Sequence, residues 1–281
     1  MKQIALFVFF VLAVPRFIQS QNLHFVAFGG VTNYMGDLQS KKFTTSFLKP
    51  AYAAGVLYEV TDKLFIRAQL MSTAVAADDF GGPNNNRNLS FASNILEGHL
   101  GIEYDILNNY NYACVPYLFM GVGAFHFDPT TIDASGTKVR LQPLGTEGQG
   151  FYLGRKKYSL TQVVFPVGGG LKFAINDDIR IRLEAGLRVL LTDYLDDVST
   201  TYADRNALLQ NNGSKALELA YRGDELTNST AYPAAETRRG NPDIKDFYYT
   251  GGIGISFRIG SGEGGGSRGG KGQLGCPTNI Y

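Results

Sequence analysis

The stretch Ile179–Leu191 reads IRIRLEAGLRVLL. Ile179, Ile181, Leu183, Ala185, Leu187, Val189 and Leu191 fall on one side of an extended chain. Arg180, Arg182, Glu184, Gly186 and Arg188 fall on the other, because successive side chains of a strand point to opposite faces. A helix would mix the two sets at every turn. Alternation of this length specifies a strand with one apolar and one ionic face.

The same pattern recurs. Leu96, Leu100, Ile102, Tyr104 and Ile106 alternate with Glu97, His99, Glu103 and Asp105. Tyr249, Ile253, Ile255, Phe257 and Ile259 alternate with Tyr248, Thr250, Ser256 and Arg258. Working outward gives eight segments: Leu23–Met35, Phe47–Val60, Leu64–Ala76, Asn94–Leu107, Val115–Phe127, Leu160–Ile175, Ile179–Thr192 and Phe247–Ile259. Each supplies the roughly 9–11 residues that a tilted transmembrane strand needs.

The connections have a rhythm. The second, fourth and sixth are short: Thr61–Lys63, Asn108–Cys114 and Asn176–Asp178. The others are longer, and Asp128–Ser159 and Asp193–Asp246 much longer. Outer-membrane barrels have short periplasmic turns and long outer loops. The expectation is an all-β chain: an eight-stranded antiparallel up-and-down transmembrane β-barrel over residues 21–260, with long extracellular loops and both termini periplasmic. A soluble lipocalin-like or sandwich fold is the alternative, and it would turn the apolar faces inward. Pro166 interrupts the sixth segment, where a closed barrel offers no free edge, so a bulge or a rim position is expected there.

The start of the chain reads as an address. Lys2 precedes the apolar run Ile4–Val14, and Pro15 and Arg16 end it. That length fits a signal peptide, residues 1–20, cleaved near Ser20 or Gln21, and is short for a membrane helix. At the other end, residues 261–281 form a Gly-rich tail. Its Gly265–Lys271 stretch matches the G-x-x-x-x-G-K skeleton of a phosphate loop, but Gly272 replaces the required Ser or Thr and no helix follows. A flexible periplasmic tether is the better reading.

Composition narrows the function. Lys+Arg 26 against Asp+Glu 25 leaves a net charge of +1, without the basic footprint of a nucleic-acid binder. Two cysteines cannot build a disulfide scaffold or a Cys-rich zinc site. Cys114 in a short turn and Cys276 in the tail lie on the same oxidising side of the membrane. They are candidates for a disulfide or are two independent thiols. No cofactor, metal or small-molecule substrate is expected.

Eight strands enclose a lumen just wide enough for side chains to fill. The charges assigned to it are Glu59, Arg67, Glu97, Glu103, Lys172, Arg180, Arg182, Glu184, Arg188 and Arg258. Buried charges must pair, so Arg–Glu networks that plug the lumen are expected, with a selectivity ring as the alternative. Other candidates are weaker. His24, His99 and His126 fall on three strands with no nucleophile beside them, so no enzyme is expected. Asp193, Asp196 and Asp197 crowd the start of the last long loop, and read as a solvated or Arg-paired rim rather than a calcium site. In that loop 204–210 and 214–221 have helical composition. Two small helices there would pack on the barrel mouth.

Several segments carry a resemblance: GGVTNYMGDL at Gly29–Leu38, LLTDYLDDVSTTYAD at Leu190–Asp204, AYRGDEL at Ala220–Leu226, RRGNPDIKDFYYTGGIGISFRI at Arg238–Ile259, and the terminal CPTNIY. Together these resemble the PorG-like outer-membrane barrels of the Bacteroidota, a family of the type IX secretion and gliding-motility machinery. The resemblance implies a non-enzymatic component of the Gram-negative outer membrane. It would be embedded among outer-membrane lipids and would anchor a periplasmic ring built from a lipoprotein and other secretion-system subunits. The docking surface would be Asp62, Lys63, Asn109–Cys114, Asn176–Asp178 and Gly260–Tyr281. The alternative is a stand-alone OmpA-like barrel acting as a small channel or surface adhesin.

Overall fold

The computed structural model describes residues 23–39, 44–228 and 231–259. The segments expected to be a leader, 1–20, and a tail, 261–281, with Cys276, lie outside the described residues. Among the described residues there are nine strands: β1 Leu23–Met35, β2 Lys49–Thr61, β3 Leu64–Asp78, β4 Ser90–Asp105, β5 Cys114–Ile132, β6 Lys138–Arg140, β7 Thr161–Ala174, β8 Ile179–Leu190 and β9 Phe247–Ile259. Their order is β4-β3-β2-β1-β9-β8-β7-β5-β6, and a β4–β5 pairing closes the sheet on itself. The short β6 stands outside the wall, as a hairpin return on the end of β5 that pairs Thr130 with Arg140. Eight antiparallel strands therefore make a closed up-and-down barrel with no free edge.

The alternation reads directly as wall geometry. Leu70, Leu96 and Leu100 are more than 60% exposed, whereas Arg182, Glu103 and Lys172 are at most 2% exposed. In a soluble barrel or sandwich these two sets would exchange places. An apolar exterior around an ionic interior is the transmembrane arrangement.

Pro166 departs from expectation. It lies within β7, not at a rim, and faces Arg188 of β8. Between β5 and β7 the pairs Met120↔Val167 and Gly123↔Val164 keep one register across it, so no residue is bulged. The ladder simply lacks pairs opposite Gly121 and Val122, which is what a missing N–H produces. Two lumen glycines on the same strand make room for rings. A Cβ on Gly168 would meet the Phe119 ring at 2.6 Å, and one on Gly170 would meet the Tyr117 ring at 2.9 Å.

The loop end of the lumen is apolar. Phe91, Ile95, Met71, Val75, Phe125, Phe127 and Tyr248 join side chains of the long loops, such as Leu141, Leu195 and Leu219, in one cluster. The last loop carries a helix, α1, at Arg205–Ala220. Asp204 caps it by accepting from the Ala207 N–H, and Gly213 breaks it at φ 86°. These are the two short helices expected from composition, merged across one kink. Leu208, Ala216, Leu219 and Ala220 bury their side chains under the cap.

Candidate functional site: a filled lumen and an ordered mouth

The centre of the lumen is one ionic network. Arg182 reaches Glu103 with Nη2 at 2.6 Å and Nη1 at 3.0 Å. Arg67 holds Glu184 through Nη2 at 2.6 Å and Nη1 at 3.0 Å, and touches Glu103 at 3.2 Å. Lys172 Nζ lies 2.7 Å from Glu103 and 2.6 Å from Asp105. Planar guanidinium groups gripping carboxylates bidentately are the strong form of this contact. Rings floor the network. The Arg182 guanidinium sits 4.4 Å over Tyr117 and that of Arg67 4.3 Å over Phe119, so the cations also meet the negative ring faces. Tyr117 OH donates to Glu184 at 2.8 Å.

Toward the loops, Glu97 lies 3.4 Å from Arg188 Nε and accepts from Tyr248 OH at 2.6 Å, with His99 at 2.8 Å. Toward the short turns, Glu59 lies 3.2 Å from His24 and accepts from Tyr110 OH at 2.6 Å. Arg180 donates to the Asn109 carbonyl at 2.5 Å, which draws the 106–113 turn across the opening. Arg258 is half-buried at this rim, 3.1 Å from Asp178 and 5.2 Å over the Tyr110 ring.

Five buried cations, Arg67, Lys172, Arg180, Arg182 and Arg188, thus share the lumen with five buried carboxylates, Glu59, Glu97, Glu103, Asp105 and Glu184. Asp105 was not assigned to the network from sequence, although it sits on the ionic face of its segment. The tyrosine donors Tyr110, Tyr117 and Tyr248 carry no signal in the alternation, because a phenol suits an apolar or a polar face equally.

The histidines separate. His24 and His99 meet carboxylates inside the barrel, whereas His126 is exposed and lies 3.0 Å from Thr161 Oγ1. Cys114 is exposed at the start of β5. Of the turn residues expected to dock a partner, Asn109 is buried. Lys63 and Asp62 instead contact the neighbouring turn, at Ile106 O and Asn108.

The mouth is closed by residues that sequence left as loops. Glu147, fully buried, accepts from the Ser199 N–H at 2.9 Å, the Thr200 N–H at 3.1 Å, the Thr200 hydroxyl at 2.6 Å and Arg239 at 3.1 Å. Arg239 also donates to the carbonyls of Asp197 and Ala220. Burial works against its charge, but Glu147 and Asp197 outweigh that and hold its pKa above the usual range. Arg87 grips Asp79 at 2.6 and 2.8 Å and donates to the carbonyls of Asp37 and Arg239.

The three acids of the last loop are buried, which corrects the solvated half of the expectation, while Arg87 and Arg239 act on Asp196 and Asp197. Asp197 accepts from Tyr158 OH and Thr146 OH, each at 2.6 Å. Burial pushes Asp197 up to about 6 against the pull of Arg239, and Asp193 up to about 7, with Asp37 adding to the rise. Among the described residues no group of three or more His, Cys, Asp or Glu is placed to hold a metal ion.

The motifs quoted from distant parts of the chain meet here. Tyr34 touches Asp196 and Asp246, Asp37 accepts from the Asn241 N–H, and Arg239 reaches Ala220. A family model described as "Domain of unknown function (DUF6089)" matches residues 2–216. The chain belongs to the DUF6089 family. No curated protein matches it.

Among solved structures it is similar to Neisserial surface protein A, NspA, at 11% identity and a TM-score of 0.42, covering 84% of this chain and 97% of that one. It is also similar to OprG from Pseudomonas aeruginosa, at 12% identity and a TM-score of 0.40, covering 85% and 98%. A third is Ail, the attachment invasion locus protein of Yersinia pestis, at 10% identity and a TM-score of 0.38, covering 84% and 98%. These likenesses are too distant to bring a ligand or partner across.

Proposed function

We propose that this DUF6089 chain is a non-conducting barrel of the Gram-negative outer membrane. In this reading it serves a type IX secretion apparatus by anchoring or stabilising a periplasmic ring. The carrying observation is the lumen. All of its buried cations but Arg180 meet carboxylates, its loop end is packed with aromatic rings, and the 106–113 turn crosses its other end. A filled barrel supports a structural role over a channel, since conduction needs a wet path with sites weak enough to leave.

The signal peptide 1–20 would deliver the chain, and the short-turn end would face the periplasm. The exposed part of that end, Asn111 to Cys114 with Asn176–Asp178, would meet the ring lipoprotein together with the tail 261–281. A Cys114–Cys276 bond would tie the tail beneath the barrel. The type IX assignment is supported by the motif resemblance, whose residues gather at the mouth. Gentle solubilisation and affinity purification is the test. Recovery of periplasmic ring proteins is the expected outcome, and recovery of the barrel alone contradicts the assignment.

The ordered mouth favours a second reading, a surface adhesin, because a rigid outer face carries no ordering cost on binding. Binding of intact cells to host or matrix glycans, lost when residues 205–220 are replaced by a short linker, would favour it over the export role.

A further inference from the structure

Tyr34 Oη, at the loop end of β1, lies 2.6 Å from Asp196 Oδ2 and 2.9 Å from Asp246 Oδ1. All three side chains are at most 1% exposed. Both separations are hydrogen-bond lengths between oxygens, and each such bond needs a hydrogen. The phenol brings one, and ionised carboxylates bring none. The other oxygens of the two acids are committed: Asp196 Oδ1 accepts from the Val198 N–H and Asp246 Oδ2 from the Leu195 N–H, each at 2.9 Å. The missing hydrogen therefore belongs on the oxygens that face Tyr34.

We propose that Asp196 and Asp246 share one proton across Tyr34, and that this proton latches the last outer loop over the barrel mouth. Asp196 stands near the loop's start, Asp246 at its end, and Tyr34 on the wall between them. One bridge therefore ties down both roots of a long loop.

The surroundings favour a proton over two free charges. Asp193 from the same loop adds negative charge beside Asp246, and Asp37 from the 36–48 loop beside Asp196, while Glu147 from the 133–160 loop acts on Asp193. Of the cations, Arg87 from the 79–89 loop acts on Asp196, whereas Lys245 acts on the nearby Asp193 and Arg239 on the nearby Asp197. Arg87 is committed to Asp79 and Arg239 to Glu147. Burial pushes both acids well above their ordinary value of 3.8. For Asp246 the neighbouring Asp196 and Asp193 add to the rise, and for Asp196 a hydrogen bond from Tyr34 opposes it.

The closed mouth thus binds one more proton than the open one. Its extra stability is complete below the ordinary carboxylate value and is lost as pH rises toward the raised one. One proton changes the open-to-closed ratio about tenfold per pH unit over that window.

The test uses the full chain in lipid nanodiscs. Infrared difference spectra at neutral pH should show a protonated carboxylic-acid C=O band, part of which disappears in both Asp196→Asn and Asp246→Asn. Hydrogen-exchange protection factors across residues 193–204 should fall with rising pH in the wild type. In Asp246→Asn they should fall less steeply, because the amide permanently supplies a donor to Tyr34 and only Asp193 and Asp197 still titrate. Absence of the band, as a cation in the proton's place would give, overturns the proposal. So does an asparagine variant as pH-sensitive as the wild type. If an asparagine variant fails to fold, Tyr34→Phe decides. Its loop should exchange at neutral pH as the wild type does at alkaline pH, and wild-type behaviour in that variant sinks the latch.

Discussion

Arg182 and Glu103 face each other across the lumen in a bidentate pair, 2.6 and 3.0 Å, with neither side chain more than 1% exposed. Glu103 also takes Lys172 and Arg67. Glu103→Gln would take the bidentate carboxylate from Arg182 and leave Arg67 to Glu184 and Lys172 to Asp105 alone, at a cost of about 3–5 kcal/mol. Reversible urea unfolding in detergent measures it. Replacing Arg182 and Glu103 together by Met and Leu should cost much less than either single change. Equal loss from the pair and the single would show that the network is not what holds the barrel.

The strand faces were legible because alternation survives in the wall. The ionic face of Ile179–Leu191 and the run from Leu96 to Ile106 both state which side faces in. β4 nevertheless begins at Ser90, four residues before the reading placed it, because Ser90 and Ser93 give the small apolar residues no polar contrast. The mouth was not legible for a different reason. Arg239 and Glu147 are 92 residues apart, and Tyr34 and Asp246 are 212 apart. Irregular backbone carries no period from which a face could be assigned.

Gly168→Ala should weaken the barrel. The new methyl would meet the Phe119 ring at 2.6 Å and press on the Ala185 carbonyl oxygen. Backbone on one side and a buried ring on the other leave little room to yield, so a loss of about 1–3 kcal/mol is expected. Unfolding of the variant beside Phe119→Leu/Gly168→Ala, which relieves the ring contact, separates ring crowding from backbone strain.

Glu147→Gln should loosen the mouth while leaving the wall intact. The variant leaves buried Arg239 without its carboxylate, and about 3–5 kcal/mol of cap stability should go with it. Limited proteolysis should then cut within 205–220 under conditions where the wild type survives, with the barrel fragment still protected.

The mouth should also loosen as pH rises. Asp193 at about 7 and Asp197 at about 6 are both raised by burial above the ordinary 3.8. The closed mouth therefore holds protons that the open one releases. Its stability is complete below about 4 and declines through about 6 to 7. Asp197→Asn should flatten the lower part of that decline in a proteolysis-rate profile against pH.

Planar-bilayer recording should find the wild type electrically silent, as paired charges and packed rings require. Leu100→Arg, on the outer face, should impair insertion into vesicles by about 2–4 kcal/mol, whereas a polar change at an exposed mouth residue such as Lys156 should leave insertion unaltered.

The central claim is that apolar faces meet lipid while ionic faces meet one another. The chain has no tryptophan, so a single introduced indole reports one site cleanly. Leu100→Trp places it on the outer face and Phe119→Trp in the lumen, and both are folded into vesicles of brominated lipid. Strong quenching of the first with little of the second is the predicted result. Equal quenching, or quenching of the lumen site alone, would contradict the account.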